Sequence, residues 1–213
     1  MDTEKQWQNE VLGQRAVAAL NKNNFTALYF AGRAGAVAHI LDLAPAGSGV
    51  GIGGSRTERV LELGLKLAAK GCTIYDHGKE GLSPEERLDL RRKQLVCDVF
   101  LSGTNAVTLE GELINCDGTG NRVAAMIFGP KKTVIVAGTN KIVRNREEAD
   151  QRIKMFAAPL NNKRLGLDNP CVKHGECIDC RSPARICNAT VILSRRPSLS
   201  DIHVILIGED LGF

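Results

Sequence analysis

Residues 98–140, which read DVFLSGTNAVTLEGELINCDGTGNRVAAMIFGPKKTVIVAGTN, decide the fold. Short runs rich in β-branched and aromatic residues predict strands, because these side chains favour a pleated surface. The pattern in and around this stretch predicts a strand, a hairpin turning at Glu110-Gly111, a helix and a second strand, over residues 96–101, 106–116, 121–127 and 133–137. Strands that alternate with helices are typical of a parallel sheet covered by helices.

The same alternation continues on both sides of this stretch, over residues 25–155. Apolar residues at three- and four-residue steps predict further helices over residues 3–22, 34–43, 58–70, 83–95 and 146–159. Further strands are predicted over residues 25–30, 49–52, 72–75, 190–194 and 203–207. The sequence therefore predicts the α/β class, as a three-layer sandwich with a largely parallel sheet.

Composition and charge exclude several classes of protein. The chain has 213 residues, of which 43% are hydrophobic and 24% charged, and this excludes a disordered or collagen-like chain. A net charge of +4 is too small to indicate a nucleic-acid-binding protein. No apolar run approaches the roughly 18 residues of a membrane-spanning helix, and the polar start, MDTEKQWQNE, contains no secretory signal. We therefore expect a cytoplasmic protein with no membrane span and no nucleic-acid partner.

Four of the seven cysteines lie close together near the end of the sequence. Their spacing is C-x5-C-x2-C-x6-C, formed by Cys171, Cys177, Cys180 and Cys187. A segment with so few apolar residues cannot order itself by burial, and disulfides are rare in cytoplasmic proteins. Four thiolates can instead complete the ligand shell of a metal centre. We predict a metal-binding insertion at about residues 160–188 of a single domain that spans residues 1–213.

The cysteine spacing favours a [4Fe–4S] cluster over zinc. Structural zinc sites usually contain two closely spaced cysteine pairs, whereas this segment has one, Cys177 and Cys180, with outer cysteines that suit a larger cluster. Residues 141–200 hold 12 Lys or Arg against 6 Asp or Glu, which suits an anionic thiolate-ligated cluster. Zinc and free or redox-active thiols remain alternatives. The other cysteines are predicted to be small buried apolar side chains: Cys72, Cys97 and Cys116.

Glycines and polar residues gather at the predicted carboxyl ends of the strands. Residues 51–57 read GIGGSRT, a strand-to-helix turn that brings backbone N–H groups close to an anion, although it lacks the G-K-[ST] of a P-loop. Ligands bind outside the carboxyl ends of strands in open parallel sheets. We therefore expect one cleft for a small anionic ligand, and a turn without a ligand is the alternative. The predicted ligand-binding residues are Gly53, Gly54, Ser55, Thr57, Thr104, Asn105, Asn115, Asp117, Asn121 and Lys141.

Three stretches of the sequence resemble the LUD-domain family, the lactate-utilisation proteins. They are SGTNAVTLEGELINCDGTGNRVAAMIFGPKKTVIVAGTNKIV at residues 102–143, VGIGGSRT at residues 50–57 and VILIGEDLGF at residues 204–213. The segment PCVKHGECIDCRSPARIC, residues 170–187, is similar to the cysteine-rich version found in a stand-alone subset of the family. The resemblance implies a fold like that of ribose-5-phosphate isomerase, glucosamine-6-phosphate deaminase and the CoA transferases.

The resemblance also implies a part in the oxidation of L-lactate to pyruvate, which members of the family perform alongside iron–sulfur proteins. The sequence contains no recognisable nicotinamide-binding motif and no flavin-binding motif. We therefore expect a redox accessory protein with a [4Fe–4S] cluster as cofactor and an iron–sulfur or flavin protein as partner, and a homo-oligomer is left open. The alternatives are a sugar-phosphate or CoA-ester binding protein or enzyme with a structural zinc, and a non-catalytic ligand sensor.

A more distant resemblance concerns Asn105. The run G-T-N-A at residues 103–106 is similar to the G-A-D-A run of methylthioribose-1-phosphate isomerases and of regulatory subunits of a guanine-nucleotide exchange factor of translation initiation. The aspartate of that run is an acid/base catalyst in the isomerases, whereas an amide does not exchange protons usefully near neutral pH. The resemblance thus implies a related ligand without the isomerase chemistry. The remaining candidate carboxylates are Glu110, Glu112 and Asp117.

Overall fold

The computed structural model describes residues 3–213. The helices are α1 (Thr3–Lys22), α2 (Arg33–Asp42), α3 (Arg56–Val60), α4 (Leu63–Ala69), α5 (Pro84–Gln94), α6 (Asn121–Ile127), α7 (Arg146–Arg152), α8 (Ala158–Arg164) and α9 (Pro170–His174). The strands are β1 (Thr26–Phe30), β2 (Gly49–Ile52), β3 (Thr73–Asp76), β4 (Val99–Gly103), β5 (Ala106–Thr108), β6 (Leu113–Asp117), β7 (Lys132–Gly138), β8 (Ile142–Val143), β9 (Ala189–Leu193) and β10 (Ile202–Ile207). None of these helices combines the length and the apolar character needed to cross a lipid bilayer.

Six strands form the main sheet in the order β1-β10-β7-β4-β2-β3, and every neighbouring pair is parallel. The two strands at its centre, β7 and β4, are buried along almost their whole length. This is the pattern of a parallel sheet covered on both faces. The predicted α/β sandwich with a largely parallel sheet is confirmed.

Alternate residues of the central strands supply two separate cores, because successive side chains of a strand point to opposite faces. Phe100 and Ile135 pack on the face covered by α1 and α6. Leu101 and Val134 pack on the opposite face, beneath α2, α3 and α4. The sheet is therefore the middle layer of three.

A second sheet, in the order β8-β5-β6-β9, lies beside the main one. The predicted hairpin forms β5 and β6, which pair antiparallel, and β9 pairs antiparallel with β6. The α7 helix packs against this sheet through Ala149, which contacts Ala106 and Ile114. The two predicted terminal strands thus belong to different sheets: β9 joins the small sheet and β10 joins the main one.

Two helices differ from their predicted extents. The helix predicted over residues 58–70 is divided into α3 and α4 by Glu62, whose φ of 54° is left-handed. The helix predicted over residues 146–159 continues to Arg164 through a π-turn, Ile153–Ala157. Pro159 lies one residue beyond the end of that turn and has no N–H to donate to the preceding turn, which is a common setting for an irregular helical segment.

Candidate functional site

A cleft of about 340 Å³ lies at the carboxyl ends of the parallel strands. Its walls include the segments that directly follow β2, β3 and β4, together with residues of α3, α5, α6 and α8. Carboxyl-end clefts of this kind are the usual ligand sites of open parallel sheets. The predicted location of the site is therefore a real cavity of the fold.

Eight of the ten predicted ligand-binding residues line this cleft: Gly53, Gly54, Ser55, Thr104, Asn105, Asp117, Asn121 and Lys141. The other two are fully buried behind its wall. The hydroxyl of Thr57 donates to the Leu211 carbonyl at 3.3 Å, and the amide oxygen of Asn115 accepts from Arg122 at 2.6 Å. Thr57 and Asn115 thus support the wall of the cleft from behind. Ligand binding by the ten residues stays a prediction.

The start of α3 differs from the anion-binding turn that the glycines suggest. Ser55 and Glu58 form a capping box: the Thr57 N–H donates to Ser55 Oγ at 3.1 Å, and the Ser55 N–H donates to Glu58 Oε2 at 3.3 Å. Such a box satisfies the N–H groups at the start of a helix. These two N–H groups already have side-chain acceptors and are not available to an anion, while anion binding elsewhere at this turn stays a prediction.

Arginine side chains, which the sequence reasoning did not select, dominate the charge of the cleft. Among its lining residues within 3–213, Asp117 is the one acidic side chain, and its Oδ2 accepts from Arg122 Nε at 3.0 Å. The other arginines form no ion pair with any described residue: Arg56, Arg59, Arg87, Arg91 and Arg164. They come from three separate helices, so their convergence becomes visible only in the folded chain.

The charges of the arginines that line the cleft favour the binding of an anion. Burial, reinforced by Arg59 and Arg56, lowers the pKa of Arg164. Burial and the nearby Arg91 lower the pKa of His77, which disfavours a further positive charge there. Clustered cations in a cleft concentrate the field and attract anionic ligands. A phosphate or carboxylate would relieve the mutual repulsion of these arginines.

A buried lysine lines the cleft, and a buried glutamate lies close enough to act on its charge. Lys141 is 4% exposed and Glu58 is 2% exposed. Burial, with Arg152 and Arg122 nearby, lowers the pKa of Lys141 to about 7. Burial raises the pKa of Glu58 to about 8. Near neutral pH the glutamate is therefore mostly protonated, while a large part of the lysine is the free amine.

Asn105 ties the ends of β4 and β6 together. Its side-chain oxygen accepts from the Cys116 N–H at 2.8 Å, and its carbonyl accepts from Arg152 at 2.6 Å. Of the other candidate carboxylates, Glu112 accepts from Arg146 Nε at 2.9 Å. Glu110 and Glu112 do not line the cleft, which leaves Asp117 there.

The four clustered cysteines line a single small cavity. Cys171 is buried, and Cys177, Cys180 and Cys187 are partly exposed. The Asp179 N–H donates to Cys177 Sγ at 3.4 Å, a contact that stabilises a thiolate. As the side chains are placed within residues 3–213, no three His, Cys, Asp or Glu lie close enough together to hold one metal ion.

Cys116 departs from its predicted role as a buried apolar side chain, whereas Cys72 and Cys97 are buried as predicted. Cys116 is partly exposed, lines the cleft and hydrogen-bonds with the thiol of Cys187. That bond lowers the pKa of Cys116 to about 7 and raises the pKa of Cys187. The prediction erred because Cys116 lies at the edge of a small core, beside Cys187 and the cleft, and so stays partly exposed.

The cleft and the cysteine-lined cavity share a wall. Ile186 lines both of them. One turn of α8 also serves both, since Asn161 lines the cleft and Asn162 lines the cysteine cavity. Together with the contact between Cys116 and Cys187, this places the two candidate sites side by side.

This arrangement defines a class of protein: three-layer α/β sandwiches with a ligand cleft at the carboxyl edge of a parallel sheet. A comparison with protein families is more specific, since the model of the LUD domain matches residues 13–207. The chain belongs to the LUD domain family, which is associated with lactate utilisation.

Comparison with solved structures supports the fold. The crystal structure of a DUF162 family protein from Deinococcus radiodurans superposes with a TM-score of 0.52, covering 93% of this chain and 98% of that chain. The two sequences are 14% identical, so this likeness concerns the fold alone. No curated protein matches the sequence.

Proposed function

We propose that the protein is a redox accessory protein of L-lactate oxidation, with an iron–sulfur cluster held by its four clustered cysteines beside an anion-binding cleft. One observation carries the proposal: Cys171, Cys177, Cys180 and Cys187 line one cavity that adjoins the cleft. The cleft would bind a small carboxylate or phosphorylated ligand, and an iron–sulfur or flavin protein would be the redox partner.

The donor set suits a cluster. Four thiolates are the soft ligands that iron–sulfur clusters use, and a bound cluster would supply one-electron transfer. The chain's own groups hold the segment in place: the Cys177 N–H donates to the Lys154 carbonyl at 2.9 Å. Arg185 donates to the carbonyls of Cys180 and Cys187 at 2.6 and 3.0 Å. The ligand-bearing loop is thus tied to the helix that also borders the cleft.

Anaerobic purification followed by iron, zinc and acid-labile sulfide analysis tests the proposal. We expect iron and sulfide in equal amounts, a paramagnetic resonance signal after reduction with dithionite, and bleaching of the visible absorption in air. Cys177→Ser should lose iron and sulfide, whereas Cys72→Ser, which changes a buried cysteine outside the cluster, should retain both. Stoichiometric zinc without sulfide in the anaerobic protein contradicts the iron–sulfur assignment.

The unpaired arginines favour a second candidate function, a sugar-phosphate or CoA-ester binding protein whose metal is a structural zinc. Phosphoryl groups are the natural partners of such guanidinium clusters. Calorimetric titration with inorganic phosphate and pyrophosphate tests anion binding directly. Arg59→Gln should weaken binding by about 10- to 150-fold, since a hydrogen bond to a charged group contributes about 1.5–3 kcal/mol. Arg15→Gln, which changes an exposed arginine of α1, should bind as the parent does; equal affinities for all three proteins contradict this function.

A further inference from the structure

Lys141 is a buried lysine that lines the cleft. It ends the 3-10 turn, Thr139–Lys141, that directly follows the central strand β7. The side chain is 4% exposed, yet it lines the cleft. A lysine is rarely buried this deeply without a paired charge. Lys141 therefore shares the cleft with five arginines that form no ion pair with any described residue.

The surroundings of the amine leave it without a carboxylate partner. Within residues 3–213 its Nζ forms no ion pair, and it donates to the hydroxyl of Thr57 at 3.2 Å. The charged groups that act on it are Arg122 from α6, Arg152 from α7 and Glu58 from α3. The two guanidinium groups disfavour the ammonium form, and Glu58 offsets them little because its own carboxyl is mostly protonated.

Burial next to cations is how proteins make a lysine amine nucleophilic at neutral pH. A ligand that fills the cleft would place its anionic group on the arginines, and a second group would meet Lys141, which lines the same cleft. A carbonyl carbon at that point is the electrophile that a primary amine attacks.

We propose that Lys141 forms an imine with an anionic carbonyl compound, either a 2-oxo acid or a phosphorylated aldehyde. This inference rests on the anion-binding role of the cleft and is independent of any metal at the cysteines. In the reaction the Nζ lone pair attacks the carbonyl carbon, a C–N double bond replaces the C–O double bond, and both N–H protons leave with the oxygen as water. No electron is gained or lost, so the step needs no oxidant or reductant.

Reductive trapping tests the proposal. The parent protein is incubated near neutral pH with pyruvate or with glyceraldehyde 3-phosphate in the presence of cyanoborohydride, and the modified peptides are mapped by mass spectrometry. We expect one adduct per chain, on Lys141, whose added mass equals that of the carbonyl compound less one oxygen. Trapping with pyruvate alone identifies a 2-oxo acid site, and trapping with the aldehyde alone identifies a phosphorylated aldehyde site.

Two variants complete the test. Lys141→Arg keeps the positive charge without the nucleophile and should lose the adduct, while Lys163→Arg, which changes an exposed lysine of α8, should keep it. Pyrophosphate should slow trapping of the parent by competing for the arginines. An adduct spread over exposed lysines, or none on Lys141, overturns the proposal. Pyrophosphate binding with no trapping would overturn the imine alone, whereas failure of the cleft to bind any anion would remove its basis.

Discussion

At the scale of single residues, two features of Glu58 favour opposite protonation states of its carboxyl. Its carboxyl accepts from the Ser55 N–H and so caps α3, a task that favours the ionised form. The same carboxyl is buried, and its Oε1 has no hydrogen-bond partner, which favours the protonated form. Burial prevails and raises the pKa to about 8, with weaker influences from Ser55, Arg122, Asp76 and Lys141.

We expect Glu58→Gln to alter the pH dependence of stability. The pKa is raised from 4.5 unfolded to about 8 folded, so the folded protein binds the proton more tightly and loses stability as the pH rises through this window. Glutamine stays neutral and escapes this loss. Urea unfolding at about pH 5 and about pH 8.5 measures this effect. The free energy of unfolding of the variant, relative to that of the parent, should be higher at about pH 8.5 than at about pH 5 by about 1 kcal/mol or more.

The α5 helix supplies the control for this experiment, because Glu86 occupies the same capping position as Glu58 but is exposed. For Glu86→Gln, the difference in unfolding free energy between variant and parent should stay nearly constant over the same pH range. A constant difference for Glu58→Gln would show that its carboxylate is not disfavoured by burial.

These two capping boxes also show what the sequence reveals at this scale. Ser83 and Glu86 form the box at the start of α5, a helix that the sequence predicts from residue 83. Ser55 and Glu58 have the same spacing, but the neighbouring glycines made the segment look like an anion-binding turn. The Ser-x-x-Glu pattern was the available signal. What it could not reveal is that Glu58 would be buried, since this depends on where α3 packs.

At the scale of elements, the apolar pattern of residues 58–70 predicted one helix and the structure has two. Leu61, Leu63 and Leu67 are all buried, whereas Leu65 is 73% exposed. Leu61 and Leu63 are two residues apart, about 200° around an unbroken helix, so they could not both face the same core. The left-handed Glu62 between them turns the chain and lets both pack inward.

The buried side-chain amide of Asn169 anchors the cysteine segment. Its Nδ2 donates to Asn162 Oδ1 at 2.6 Å and to the Ala184 carbonyl at 2.8 Å, which fastens the segment to α8. We expect Asn169→Ala to leave the buried Asn162 Oδ1 without a donor, at about 1–3 kcal/mol, and to release the Ala184 carbonyl to solvent. Hydrogen exchange should quicken across residues 165–188 while β4, β7 and β10 stay protected.

Asn188→Ala is the matched control for that prediction, because its exposed amide makes two similar bonds, to the carbonyls of Gly118 and Arg185. Exposed groups lose little when a bond is removed, since water replaces the partner. Equal exchange rates in both variants would contradict the anchoring role of Asn169.

At the scale of the whole molecule, the sheet gathers residues that are far apart in the sequence. The turns after β2 and β4 were predictable as one cleft, because parallel strands place their carboxyl ends together. Arg59, Arg91 and Arg164 reach this cleft from α3, α5 and α8. Their orientation depends on how each helix packs on the sheet, and no local pattern in the sequence encodes that.

We expect pyrophosphate to raise the Tm of the protein more than phosphate at equal ionic strength. A ligand at a hundred times its Kd stabilises the folded state by about 2.7 kcal/mol, which corresponds to roughly 5–10 °C for a chain of this size. The shift should shrink as sodium chloride is added, because salt screens the guanidinium charges. Thermal scans of the parent and of an Arg59→Gln/Arg164→Gln double variant measure it. An undiminished shift in the double variant would place the bound anion elsewhere.

The turn of α8 that borders both cavities gives the molecule a further property. A ligand that displaces Asn161 in the cleft also displaces Asn162 at the cysteines, since a helical turn moves as a unit. Thermodynamic linkage makes such coupling reciprocal. If a bound anion changes the free energy of reducing a centre at the cysteines, the oxidation state of that centre changes the free energy of anion binding by the same amount. With the proposed cluster at these cysteines, the ligand would be held more tightly in one redox state than in the other.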